Sequence, residues 1–181
     1  LELGVKQHVG LRDAFAALPW AVVPFVYSMF TLVAALDQAG WLTWGASELA
    51  TLIGTGRGAT AHAVALSGGL TILLCNLANN QPATILLASV FTDAGFSSLP
   101  NAAKHGALLT LAAGSNVGAN FTLLGALAGV MWQGILQAKG FRISYTAFLR
   151  RSVPISVTVA VLCFATIYAE CRLFDTPQLR V

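Results

Sequence analysis

The chain has 181 residues, 56% of them hydrophobic and 9% charged, where an ordinary soluble domain carries about a quarter charged residues. That balance excludes a soluble globular fold and marks an integral membrane protein. The formal charge of +3 is small and scattered, which excludes the clustered basic face that nucleic-acid binding requires.

Residues 1–13 carry Glu2, Lys6, His8, Arg12 and Asp13 without strong periodicity and read as a linker. Leu1 is not an initiator methionine and no signal-peptide pattern opens the chain, so it reads as a fragment or the later part of a longer protein. Nothing is charged over 14–36, a stretch that as a helix reaches about 34 Å and spans the roughly 30 Å hydrocarbon core. Pro19 stands at its entry, Trp20 at one interface and Trp41 with Trp44 at the other, and Asp37 marks the far water boundary. Residues 43–57 are too short to cross. There Trp44, Leu49, Leu52 and Ile53 at helical spacing predict an amphipathic helix lying in the interface, ended by a glycine-rich breaker at 54–58.

The stretch 58–92 has no formal charge unless His62 carries one, and one straight helix over it would be about 52 Å long. It has to fold back, and the place to turn is the polar run from Asn76 to Pro82, because proline removes a backbone donor and disfavours helix in the residue before it. Two arms, 61–77 and 83–92, then form a re-entrant hairpin over 61–92 with its tip near the midplane. A full span over 61–78 followed by a short buried helix is the alternative. Residues 93–104 read as a surface turn.

The run 106–138 is again overlong, and the glycine-bearing polar stretch 114–122 divides it. Half-helices of 102–113 and 121–138 would cross once as a broken span; a plain extramembrane loop between two short helices is the alternative. Lys139, Arg142, Arg150 and Arg151 follow in a loop, and the last span, 152–169, has Pro154 in its first turn. Counting basic residues in short loops puts the N-terminal segment and the 139–151 loop in the cytoplasm and the C-terminus outside.

Both interruptions supply uncharged hydrogen-bonding groups: Asn76, Asn79, Asn80, Gln81 and Thr84 from the tip, Ser115, Asn116, Asn120 and Thr122 from the break. Freed helix N-termini favour an anionic or oxygen-rich solute, and freed carbonyls favour a small cation. None of the acidic residues falls at predicted membrane depth, so a proton-relay carboxylate is missing from this chain. Cys75, Cys163 and Cys171 are widely spaced and have neither zinc-ligand nor disulfide-framework spacing. No catalytic set is evident, so the chain is not read as an enzyme and no cofactor is expected beyond a coupling ion, proton or sodium.

Three features together carry a family resemblance: Pro19-Trp20 opening a span that ends at Asp37, the Asn79-Asn80-Gln81-Pro82 tip, and the run from Gly114 through Asn116, Gly118, Thr122 and Gly125 to Trp132. Over about 14–170 the chain resembles the C-terminal half of the bacterial arsenite/antimonite efflux permeases, within a wider superfamily that includes sodium/proton antiporters and sodium-coupled anion carriers. It departs from the permease pattern at Asn116 and at Ala119-Asn120, where the family has an acidic residue and a Pro-Lys pair. The resemblance implies an all-α, inverted-repeat carrier whose halves each supply a re-entrant hairpin and a discontinuous helix, with substrate held where they meet. The expected ligand-lining residues are Asn79, Asn80, Thr84, Ser115, Asn116, Gly118, Asn120 and Thr122. Expected partners are a small inorganic ion or oxyanion, the bilayer of the inner (plasma) membrane and the N-terminal half of the carrier. A homodimer is one assembly open to it. A membrane scaffold subunit that transports nothing is the reading from another class.

Overall fold

The computed structural model describes residues 10, 12, 15, 20 and 22–173, and over these the chain is helical with no strand. Its elements are α1 (Val22–Gln38), α2 (Trp41–Ile53), α3 (Ala59–Ala78), α4 (Asn80–Thr92), a 3-10 turn (Ala94–Phe96), α5 (Asn101–Gly118), α6 (Leu127–Ala138) and α7 (Tyr145–Leu173). Helices α3 and α7 are each long and apolar enough to cross a membrane. Helices α1 and α2 would add a third span if taken together, but they meet at 73°, across Gly40 at φ 77.

The fold is built on the pair α3 and α5, which share the most extensive helix contact. Both present small residues: α3 buries Ala59, Ala63, Ser67, Gly68, Thr71 and Cys75, and α5 buries Ala103, Gly106, Ala107, Thr110, Gly114 and Gly118. Small side chains let two backbones approach closely in a membrane, where lipid is as apolar as the helices and packing must supply the attraction. The approach is close enough that a Cβ on Gly118 would lie 3.0 Å from the Ile72 Cα. Two of the buried hydroxyls bond within their own helices, Thr71 donating to the Ser67 carbonyl and Thr110 to the Gly106 carbonyl, while Ser67 Oγ has no partner among the described residues. Helix α7 closes one side through Val64, Phe164, Ile167 and Cys171. On the other side α1, α2 and α4 pack around Ile53, Leu87, Phe91, Phe96 and Leu99.

Several expectations change. The first predicted span lies largely outside the described residues over 14–21, and the described part, α1, has 17 residues. Helix α2 divides its expected apolar set: Leu49 and Ile53 are buried, with Leu42, Ala46 and Ala50, in the core beside Phe96, while Trp44 and Leu52 stay exposed. The 93–104 segment is more than a surface turn, because Phe96 and Leu99 are 1% and 3% exposed and Phe96 stacks on Phe91 at 5.3 Å. With 20 residues α3 is long enough to cross by itself, so the length of the first arm does not separate a re-entrant hairpin from a full span over 61–78. Helix α7 runs over 29 residues rather than 152–169, which puts Pro154 inside the helix, beyond its first turn, and Arg150 and Arg151 on the helix rather than in a loop.

The break after α5 also comes later than predicted. Gly114, Ser115 and Asn116 are helical, and the chain leaves the helix only over 119–126. The glycines serve close packing against Thr71 and Ile72. The polar side chains bond backward, Ser115 Oγ and Asn116 Nδ2 both donating to the Ala112 carbonyl at 3.2 and 2.8 Å. These backward bonds stay within helical geometry and compete with no backbone bond.

The packing argument predicts unequal effects for two neighbouring glycine sites. Gly118→Ala should lower the melting temperature of the purified full-length protein by several degrees, in line with about 1–3 kcal/mol for overpacking. Gly69→Ala faces open space and should leave the melting temperature unchanged or raise it slightly, since alanine favours helix by about 1 kcal/mol. Equal effects in thermal melts would refute the close α3–α5 contact.

Candidate functional site: two interruptions bonded to each other

The two places where helix gives way meet in space. Between α3 and α4 the chain turns on Asn79, whose φ of 76° makes it the one non-glycine residue with positive φ among the described residues. Asparagine tolerates this left-handed region better than most residues because its short polar side chain can bond locally. Asn79 Oδ1 accepts a long bond from the Gln81 amide at 3.5 Å, and Asn79 is the N-cap of α4.

The backbone groups freed at each interruption find partners at the other. The Asn80 amide donates to the Gly125 carbonyl at 3.0 Å, and Asn79 Nδ2 reaches the Leu124 carbonyl at 3.5 Å. One turn before the tip, Asn76 Nδ2 donates both to the Ile72 carbonyl at 2.8 Å and to the Gly118 carbonyl, the last of α5, at 2.9 Å. Inside the break the chain steps through turns, with Phe121 N on Gly118 O at 3.2 Å and Gly125 N on Thr122 O at 3.3 Å, and Leu123 is buried beneath them. Ser152 Oγ on α7 donates to the Asn120 carbonyl, tying the break to the last helix.

Gly125 is required by this crossing. A Cβ there would lie 2.7 Å from the Ala119 carbonyl oxygen and 3.0 Å from Asn76 Oδ1, so any side chain would force the break away from the tip.

Seven of the eight expected ligand-lining residues, all but Thr122, divide into three groups. Asn79 and Asn80 touch the break at Leu124 and Gly125, as described, and Gly118 lies in the contact itself. Thr84 donates to the Asn80 carbonyl at 2.7 Å, and Ser115 is buried with its hydroxyl on its own helix; both are thereby spent locally. Asn116 and Asn120 form an exposed ladder on one side of α5, Asn120 Nδ2 donating to the Asn116 carbonyl at 2.9 Å. One amide hydrogen of each serves its own turn, and the second hydrogen and the Oδ1 oxygen have no partner among the described residues.

Two oxygens inside the crossing are buried without a partner among the described residues, Asn76 Oδ1 and Thr122 Oγ1. Buried oxygens of this kind normally carry a bond, and an amide or hydroxyl oxygen is a ligand type that hard cations accept. No group of three or more His, Cys, Asp or Glu placed to hold a metal ion occurs among the described residues, so any cation held here would rest on neutral oxygens.

The expected set omits Asn76, Gly125 and Ser152. Asn76 was visible as a polar residue in an apolar stretch, one turn ahead of the tip. Gly125 lies in the motif that carries the family resemblance, but nothing in the sequence says that it faces Asn76. Ser152 has no distinguishing signal. Gly125→Ala should speed hydrogen exchange at the Asn80 amide by at least tenfold, because that amide loses its acceptor. Gly45→Ala, which faces open space, should not. Equal exchange rates in the two variants of the full-length protein would show that the crossing does not depend on Gly125.

The sequence pattern of a known family, described as arsenical pump membrane protein, matches residues 6–170. A Bacillus subtilis (strain 168) protein whose name assigns it provisionally to the arsenical pumps is 28% identical over 155 residues, covering 84% of this chain and 34% of that protein. An Escherichia coli arsenical pump membrane protein is 26% identical over 164 residues, 91% of this chain and 36% of the relative. A 46 kDa membrane protein of Mycobacterium leprae is 28% identical over 161 residues, 88% and 37% of the two chains. This chain thus spans about a third of the length of the curated relatives it matches. No solved structure matches it. With a family match over nearly its whole length and helices long and apolar enough to cross a bilayer, the chain is a membrane protein and belongs to the arsenical pump membrane protein family.

Proposed function

We propose that the chain is part of a secondary active carrier that moves arsenite, antimonite or a related small oxyanion out of the cell by alternating access. The observation that carries this reading is the crossing itself: two interrupted helices whose freed backbone groups bond each other, beside the exposed amides of Asn116 and Asn120. Broken helices at membrane depth are tolerated where they are buried in protein or line a cavity, and in carriers such breaks are where solute is held. On this reading the solute sits on the Asn116 and Asn120 side of the crossing, with Asn79, Asn80 and Thr122 alongside, and the rest of the carrier closes over it.

Arsenous acid is uncharged at neutral pH, so neutral donors and acceptors suit it, and a charged clamp is not needed. A second reading, a sodium-coupled carrier or sodium/proton antiporter of the same superfamily, is favoured by the two unpartnered oxygens of Asn76 and Thr122. On either reading the coupling ion is a proton or sodium, and the chain sits in the inner membrane with the 139–151 segment cytoplasmic and the C-terminus outside. The inverted repeat and a homodimeric assembly belong to the same proposal.

The hairpin is proposed to be re-entrant. What supports this is that Gly54 and Thr55, before α3, line one groove with Gly95 and Ser98, after α4, so the two ends of the hairpin lie together. In a cysteine-free full-length background, cysteines at 55 and 98 should react with an impermeant thiol reagent from the same side. Labelling from opposite sides would mean that the segment crosses the membrane.

The site is tested by Asn116→Leu and Asn120→Leu. Both residues are exposed on this chain, so each variant should keep its melting temperature within a few degrees and lose at least tenfold in arsenite or antimonite uptake by everted vesicles. Unimpaired uptake by both would remove this face from the pathway. Lost stability with lost uptake would mean that the amides serve packing against the rest of the protein.

A further inference from the structure

The sequence holds no acidic residue between Asp93 and Glu170, yet Lys104, Lys139, Arg142, Arg150 and Arg151 fall within that stretch. Two of them, Arg142 and Arg151, line an open groove of about 580 Å³ with Trp132, Ser144, Phe148 and Ile155. Neither guanidinium has a hydrogen-bonding or ion-pair partner among the described residues. Phe148, Arg151 and Ile155 follow one another at three- and four-residue spacing on one face of α7. The groove is therefore basic and polar at the Arg142 and Ser144 end and apolar toward Ile155, with the Trp132 and Phe148 rings 6.3 Å apart along its wall.

Depth agrees with this polarity. The 29 residues of α7 reach about 43 Å, roughly 13 Å more than the hydrocarbon core, while 153–169 is uncharged. The surplus at the N-terminal end puts the first turns of α7, Arg151 included, at headgroup level. The helix's own first-turn amides are partly taken, since Ser144 Oγ accepts from Ala147 N at 3.2 Å and the Ser144 carbonyl from Phe148 N at 3.1 Å, which leaves the guanidiniums as the anion-binding groups. A small inorganic oxyanion would occupy only a fraction of the groove and leave its aromatic wall uncovered.

We propose that this groove binds an anionic phospholipid, its phosphate between Arg142 and Arg151 and an acyl chain against Trp132, Phe148 and Ile155. Arginine's planar fork suits phosphate, tryptophan suits the interface, and the one-signed charge of the segment finds in the lipid the counterion that the described residues lack.

Binding is tested on the full-length protein in detergent by native mass spectrometry with added phosphatidylglycerol or phosphatidylcholine. Phosphatidylglycerol should bind preferentially, and Arg142→Gln and Arg151→Gln should each weaken it about fivefold, as expected for one basic residue at an anionic surface. Arg150→Gln, outside the groove, should not. Equal binding of the two lipids, undiminished binding by the double variant, or full competition by millimolar inorganic phosphate would each overturn the proposal. A photo-crosslinker at Ala147 tests it without removing either arginine: a phospholipid adduct from native membranes is expected. An adduct to another part of the protein would show that protein, and not lipid, covers the groove.

Discussion

A backbone that stops being helical inside a membrane leaves carbonyls and amides that lipid cannot satisfy, each at a cost of several kcal/mol. The contact between the two interruptions of this fold answers that demand with bonds inside the protein. The tip between α3 and α4 and the break between α5 and α6 are brought into contact, and Asn76, Asn79 and Asn80 bond the carbonyls of Gly118, Leu124 and Gly125. For the contact to form, α3 and α5 must run side by side at short distance, and the small-residue faces around Gly68, Thr71, Gly114 and Gly118 permit this. The crossing and the close helix pair are therefore one device. Widening the helix pair at Gly118 would also withdraw the carbonyl that Asn76 holds.

Much of this was legible in the sequence. Charge spacing located the long apolar segments, and the Asn79-to-Pro82 tip falls where polar residues and proline interrupt an apolar run. The helix break falls several residues later than glycine, serine and asparagine propensities predict. In the fold, Gly114 and Gly118 are packing residues, and Asn116 bonds the Ala112 carbonyl one turn back. Propensity describes an isolated helix; against α3 the missing side chain is an advantage that outweighs about 1 kcal/mol of lost preference. The burial of Phe96 was missed for a similar reason: one aromatic residue among turn-formers reads as loop until its stacking partner Phe91 is known.

The site was legible as composition and not as arrangement. The sequence singles out polar residues in apolar surroundings but cannot say which of them are already occupied. Thr84 and Ser115 spend their hydroxyls on their own helices, whereas among the described residues the Oδ1 oxygens of Asn116 and Asn120 have no partner. That distinction depends on rotamer and on which side of α5 a residue falls, and neither is fixed by spacing from the tip.

The same distinction gives the crossing two unlike sides. On the inner side the carbonyls of Gly118 and Gly125 are held by Asn76 and Asn80, and a solute competing for them would have to break the bonds that keep the interruptions together. On the outer side Asn116 and Asn120 can gain and lose a partner without disturbing any bond between the two interruptions, because the one bond that each side-chain amide makes runs to the carbonyl four residues back. A carrier has to bind its solute and also release it, so exchangeable contacts suit it better than structural ones. On the carrier function proposed above, solute handling is assigned to the asparagine ladder, with the Asn76 bonds as the fixed frame behind it. That division also accounts for why the frame is glycine-lined and buried while the ladder is polar and exposed.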